Sequence, residues 1–280
     1  MTDDLNPQAA QMADASMVRT LRAQTEAIWP QERALFDRYG LAGRLRVLDA
    51  GCGTGEMSAR LAERYPEAEV LGVDVLDASL VLARARSAAF GPRVRFENRS
   101  VFGLELPDAS FDLSVCRHVI HAIPHAERVI AELARVTRPG GRVHVLAEDY
   151  GMIHFPPRRF DPNDFWPVAS RRFGESTGTD LFVGRRAFEY FRRAGLVDVT
   201  VDYVVVDTLR VPRETFAAIW EAWRDGYADV VAAALGVRRD EAVARFDDQI
   251  ATLRDPERYA AWLVPVVAGV VPGSRAEAMR

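Results

Sequence analysis

The run Arg46-Val-Leu-Asp-Ala-Gly-Cys-Gly-Thr-Gly-Glu56 sets an acid, Asp49, two positions ahead of three glycines at alternate sites, Gly51, Gly53 and Gly55. A short apolar segment breaks there into glycine. A helical pattern follows at once through Met57, Leu61 and Ala62, with Glu63 and Arg64 outward. A strand that turns sharply through glycine into a helix brings backbone close to a nucleotide ligand. Dinucleotide binding needs its third glycine where this chain has Glu56, so the spacing departs from that device. A second apolar run, Glu69-Val-Leu-Gly-Val-Asp74, ends in an acid about 20 residues past the glycines, where a carboxylate can accept from both hydroxyls of a ribose. Two plainer readings stand beside these. The glycines can serve only to pack helix on strand, and Asp74 can cap the next helix, although Asp77 and Ser79 are available for that. Four of the five histidines, His118, His121, His125 and His154, fall near strand ends, where neutral imidazole can take a proton near pH 7.

The elements that must position these residues alternate strand and helix. A third strand, Arg93–Asn98, is followed by a fourth within Asp108–Cys116. A helix over Pro124–Thr137 closes at Arg138-Pro-Gly-Gly141, and a fifth strand covers Arg142–Glu148. Such alternation predicts an α/β fold, a doubly wound and mostly parallel sheet. Ligands of such sheets bind beyond the carboxyl ends of the strands. Those ends supply Asp49 to Gly53, Asp74, Asn98 to Phe102, Arg117 to His121, and Glu148 to His154. His144 faces into a strand and reads as structural. His118, His121 and His125 have suggestive ligand spacing, but Pro124 interrupts it and no fourth ligand stands out, so no metal is expected.

The glycine loop, Asp74 and the Pro-Gly-Gly turn together resemble the class I S-adenosylmethionine-dependent methyltransferases, over residues 41 to 150 and more loosely over 183 to 272. The resemblance implies S-adenosylmethionine as cofactor. Backbone of Ala50, Gly51 and Gly53 would pack on its methionine portion, and Asp49 would orient the loop or the amino group. Asp74, with Val75 beside it, would hold the ribose. Where the family places an Asp against the adenine amino group, this chain has Ser100, a hydroxyl that can still accept, with Val101 and Phe102 to pack the ring. Arg117 would bond the carbonyl or carboxylate region. Methyl transfer is an in-line displacement helped by alignment of the acceptor, and an O- or N-acceptor must also lose a proton. His118 is the first choice of base and His121 the second; Asp149, with Tyr150, ends the fifth strand as an alternative. The resemblance further implies a seven-stranded sheet whose last strand is antiparallel.

The remaining segments divide the chain as follows: an N-terminal helical cap over 1–40, the cofactor-binding core over 41–150, an irregular acceptor-side insertion over 151–182, the rest of the sheet over 183–211 and 258–280, and a helical cover over 212–257. A helix at Arg185–Ala194, a strand at Leu196–Asp207 and a last strand near Val264–Val271 are expected, with Pro265 weakening pairing at its start. Phe155, Phe160, Phe165, Trp166 and Phe173 can wall an apolar pocket. Gln24, Trp29 and Glu32 fit a helix lying across the cofactor, Glu32 equally a solvated charge.

Composition bounds the function. The 280 residues are 49% hydrophobic and 27% charged, enough for a sizeable core. With 36 basic residues against 40 acidic, there is no electrostatic footprint for nucleic acid. All the basic residues are Arg, which excludes a catalytic Lys. No apolar run reaches the ~18 residues of a membrane span. Two cysteines, Cys52 and Cys116, fit a reducing cytoplasm without a disulfide framework. The expectation is a cytoplasmic monomer or homodimer that methylates a small molecule on O or N, in secondary metabolism, without nucleic-acid or membrane partners. The sequence leaves two rivals open, a nicotinamide-dependent oxidoreductase and a non-catalytic S-adenosylmethionine-binding module.

Overall fold

The computed structural model describes residues 6–8, 12 and 14–273. The ends of the expected cap (1–5, 9–11 and 13) and of the last core segment (274–280) lie outside the described residues. Helix α1 (Ala15–Arg38) opens on Asp14, whose carboxylate accepts from the Ser16 N–H at 2.7 Å. Then come β1 (Arg46–Ala50), α2 (Glu56–Arg64), β2 (Glu69–Asp74), α3 (Asp77–Arg86), β3 (Val94–Asn98), β4 (Phe111–Arg117), α4 (Ala126–Val136) and β5 (Thr137–Leu146). The two-residue β6 (Ile153–His154), α5 (Trp166–Thr177), α6 (Gly184–Arg193), β7 (Val197–Asp207), α7 (Arg213–Leu235), α8 (Arg239–Arg254) and β8 (Ala261–Val270) complete the chain. Among the described residues no helix is long and apolar enough to cross a membrane.

The sheet order is β3-β2-β1-β4-β5-β8, with β7 on the far side of β8 and the short β6 extending the β5 edge. Strands β1 to β5 run parallel. β8 is antiparallel to both β5 and β7. This is the expected doubly wound sheet of seven principal strands with the last one reversed. Side-chain alternation turns Val47, Leu113 and Val115 toward α2 and α3, and turns Leu48, Val143 and Val145 toward α4 and α6. A third apolar cluster joins α1, α5, α7 and α8 to β7 and β8, with Trp220 and Trp262 fully buried.

Three local expectations need correction. The segment read as irregular contains α5, opened by Pro167 in its first turn and closed by Gly178 at φ +72°. Its apolar residues Trp166, Ala169 and Phe173 keep helical spacing, but two Arg and a Pro within twelve residues obscure the period. Residues 138–141 do not simply precede β5. The register jumps from Phe111↔Thr137 to Leu113↔Arg142, so they bulge out of the ladder, with Gly140 at φ +76°. Pro265 lies inside β8, not at its start. It sits where β8 stops pairing with β5 at Val266 and has yet to reach β6 at Trp262, so its missing N–H interrupts little.

Candidate active site

The loop after β1 is held by local chemistry. The N–H groups of Gly51 and Cys52 both reach the Val73 carbonyl, at 2.8 and 2.9 Å. Gly51 has φ +73°, and a Cβ there would collide with Val119. Beneath the loop Asp49 is fully buried and accepts from Ser58 Oγ at 2.6 Å; burial pushes its carboxyl up to about 6 despite that bond. At the tip of β2, Asp74 accepts from the Gly53 N–H at 2.9 Å and the Leu76 N–H at 3.0 Å. Burial raises its carboxyl, against the N–H groups bonded to it. The sequence assigned capping of α3 to Asp77 and Ser79. The helix instead starts at Asp77, with Leu76 at its N-cap and no side-chain cap.

A cavity of about 440 Å³ opens in front of this loop. Eight expected cofactor residues line it: Gly51, Gly53, Asp74, Val75, Ser100, Val101, Phe102 and Arg117. Asp49 and Ala50 lie behind the wall, and neither is a lining residue. Arg117 is buried; its Nε donates to Glu32 at 2.9 Å, and its Nη2 has no partner among the described residues. Glu32 is wholly buried rather than solvated, and it also faces His144 Nε2 at 3.0 Å. His144 Nδ1 in turn meets the Tyr39 hydroxyl at 2.7 Å, which pins α1 to the sheet as the structural reading of His144 expected. Burial would raise the Glu32 carboxyl, but Arg117 and His144 reverse that and hold it low.

A second cavity, of about 50 Å³, adjoins the first; both are lined by Met12, Leu21 and His118. His118 has φ +57°, a conformation uncommon for a residue with a side chain and one that accumulates at functional sites. Its Nδ1 bonds Glu148, and its buried Nε2 has no partner among the described residues. Burial lowers the His118 imidazole, outweighing the carboxylate beside it, so the ring is neutral near pH 7. Glu148 is wholly buried. Burial alone would raise its carboxyl, but His121 and His118 more than reverse that and keep it ionised. His121 Nδ1 stands 2.9 Å from Glu148 without hydrogen-bond alignment, and its Nε2 lies 3.4 Å from the Tyr150 hydroxyl. The arrangement can therefore take a proton at His118 Nε2, with a carboxylate fixing the tautomer.

Asp149 is not part of this group. It is buried on the other side of the strand end, where Arg185 binds both its oxygens at 2.6 and 2.7 Å and the Gly151 N–H donates at 2.9 Å. It lines neither cavity. The physical reason is alternation: Arg142, His144, Leu146 and Glu148 share one parity, and Val143, Val145, Ala147 and Asp149 the other. Glu148 is thus the functional candidate that sequence reasoning passed over. His144, which shares its parity, points to the face that α1 covers. His125 is exposed and lies 3.7 Å from Glu127, and His154 is exposed, so neither joins His118. Of the expected aromatic wall only Trp166 and Phe173 line the second cavity. Phe155 and Phe165 are core, and Phe160 lies against Arg159 and Arg245. Gln24 lines the second cavity, whereas Trp29 packs on Phe36 away from it.

The donor cavity fits a nucleoside carrying an amino-acid end. The loop at Gly51 has no room for a side chain, a carboxylate closes β2, and a buried guanidinium N–H is unpaired. Residues 47–141 match the family described as "Methyltransferase domain". The demethylmenaquinone methyltransferase of Thermus thermophilus is 38% identical over 112 residues, 40% of this chain and 48% of that protein. The trans-aconitate 2-methyltransferase of Methylobacterium nodulans is 36% identical over 138 residues, 49% of this chain and 51% of that one. The chain spans about half the length of these curated relatives. Among solved structures, the Haemonchus contortus phosphoethanolamine N-methyltransferase 2 in complex with S-adenosyl-L-methionine shares the fold at TM-score 0.61 and 19% identity, covering 95% of this chain and 59% of that one.

Proposed function

We propose that this chain, a class I S-adenosylmethionine-dependent methyltransferase, methylates an oxygen or nitrogen of a small molecule, with His118 as proton acceptor held by Glu148. The observation that carries the reading is the position of His118. It is the only titratable side chain, among the described residues, that lines both cavities, and its outer nitrogen has no partner. S-adenosylmethionine, when bound, supplies an electrophilic methyl group on a sulfonium. Backbone at Gly51 and Gly53 would lie along its methionine portion, Asp74 would accept from the ribose hydroxyls, and Arg117 Nη2 would meet the carboxylate. Ser100, Val101 and Phe102 would take the adenine.

The chain's own residues then have two tasks. The walls of the two cavities hold the acceptor atom in line with the methyl group and keep water away, which is where most of the rate comes from in a displacement of this kind. His118 removes the acceptor's proton at Nε2 while its Nδ1–H stays on Glu148, so the charge that develops on the ring faces a carboxylate. Asp149, tied to Arg185, serves as a strut rather than a base. A nicotinamide dinucleotide fits less well. Its pyrophosphate would meet Glu56 at the start of α2, where a carboxylate paired with Arg86 replaces the third glycine. The same core in relatives named for demethylmenaquinone and trans-aconitate leaves the choice of acceptor to the second cavity.

Single-turnover transfer of a labelled methyl group to a panel of phenols and amines tests the proposal. His118→Ala is expected to slow transfer by about 10²–10⁴-fold while cofactor affinity changes little. A fully active variant would remove His118 from the reaction.

A further inference from the structure

Five polar atoms in the second cavity's wall are buried without a hydrogen-bond partner among the described residues: Trp166 Nε1, Gln8 Nε2, His118 Nε2, His121 Nδ1 and Glu148 Oε2. Buried polar groups are ordinarily hydrogen-bonded, so orphans grouped around one cavity mark the polar atoms of what fills it. Three of the five belong to one connected group, His118, Glu148 and His121. Glu148 is wholly buried and ionised, and the His118 ring beside it is neutral. Among the described lining residues Glu148 is the only Asp, Glu or Arg, and the chain has no Lys. Arg117, on the neighbouring cavity, is already paired with Glu32.

The wall thus holds one carboxylate without a permanent counterion. An anion placed there would lose its hydration beside a like charge. Trp166 Nε1 and Gln8 Nε2 are neutral donors and do not replace a cation. A positively charged group supplies the missing partner. Proton transfer favours the same choice. A neutral hydroxyl that gives its proton to His118 leaves two new charges in a buried site. An ammonium that does so only moves one positive charge from its own nitrogen to the imidazole that Glu148 holds. The cavity, of about 50 Å³, takes a head of only a few heavy atoms once the donor fills its neighbour.

Resting on the methyl-donor reading above, we propose that the acceptor is a short aliphatic primary or secondary amine, which enters as its ammonium ion and donates a hydrogen bond to His118 Nε2. His118 takes one proton from the ammonium, which leaves a lone pair on the nitrogen. That pair forms the bond to the methyl carbon while the carbon–sulfur bond breaks with its electrons left on sulfur. The products are the methylated ammonium and S-adenosylhomocysteine, and the proton on His118 passes to solvent once they leave. Glu148 touches none of the reacting atoms. It selects the charge of the acceptor through His118.

The test is a binding series on the protein saturated with S-adenosylhomocysteine at pH 7, read by ligand-observed NMR. The probes are propylamine, propan-1-ol and propanoate, which share one carbon chain and differ in charge. Propylamine should bind at least about tenfold tighter than propan-1-ol, as one charge-assisted hydrogen bond implies, and propanoate should not bind. In Glu148→Gln, whose amide keeps the shape of the carboxylate, the advantage of the amine should disappear while affinity for propan-1-ol is kept. If that variant does not fold, the comparison on the parent decides alone. Equal binding of amine and alcohol, tighter binding of propanoate, no binding of the amine, or an undiminished preference in Glu148→Gln overturns the proposal. Should S-adenosylhomocysteine itself not bind, the donor reading fails instead. The same series on the free protein then still reports the charge that the cavity prefers.

Discussion

At the scale of single residues, the proposed function turns on His118 and Glu148. Their side chains meet although they stand thirty positions apart, one just past β4 and the other just past β5. His118 could be picked out from the sequence because its type and its place at a strand end were both visible. Glu148 was not picked out because choosing between it and Asp149 needs strand parity, and a shift of one residue reverses the face. Asp74 and the glycines were legible because each ends a short apolar run, although the bonds that hold them, from Gly51 and Cys52 to Val73 and from Gly53 to Asp74, join two strands about twenty positions apart. Glu148→Gln is expected to lower turnover by about tenfold or more, because an amide can misplace the imidazole and stabilises its charge less. The informative readout is the pH profile. The carboxylate raises the His118 imidazole against the lowering by burial. Its loss should therefore move the acid limb of the rate to lower pH. An unmoved limb would mean that Glu148 does not act through His118.

At the scale of elements, the turn from β1 into α2 brings Gly51 and Gly53 into the wall of the larger cavity. Gly51→Ala adds a Cβ in a left-handed conformation and drives it against Val119, which itself lines the cavity. The substitution is expected to weaken S-adenosylhomocysteine binding by about tenfold or more, through strain of 1–3 kcal/mol at this turn. Calorimetry that returned unchanged affinity would show that the loop does not pack on the ligand. Helix α1 was expected as a cap, and its charge was harder to read. Glu32 is spaced like a surface residue, yet it becomes the buried partner of Arg117 and His144 through contacts 85 and 112 positions away. Helix α5 was hidden by its own composition, since Arg and Pro dilute a period that lasts only twelve residues. The order of the strands was the easier part, because parallel strands separated by helices leave few topologies to choose among.

At the scale of the whole molecule, two buried carboxyls give opposite pH dependence. Asp49 is raised to about 6 by burial, above the usual unfolded value near 3.9, so its contribution to stability is complete below about pH 4 and is lost as the pH rises through 6. Glu148 is lowered, so its contribution is present above the unfolded carboxylate value and is lost on acidification. Asp49→Asn keeps an acceptor for Ser58 and removes the titration. Relative to the parent, the variant should gain about 2–3 kcal/mol in urea unfolding between pH 4 and pH 7. A constant difference across that range would place the Asp49 carboxyl at its ordinary value. All of this presupposes that the crevice beyond β1 and β2 holds a sulfonium nucleoside, and calorimetric titration of the parent and of Asp74→Ala with S-adenosylhomocysteine and with a nicotinamide dinucleotide tests that most directly. The parent should bind S-adenosylhomocysteine and not the dinucleotide, and the variant should bind it at least about tenfold more weakly, as loss of a charge-assisted hydrogen bond implies. Binding of the dinucleotide with no binding of S-adenosylhomocysteine would contradict the account.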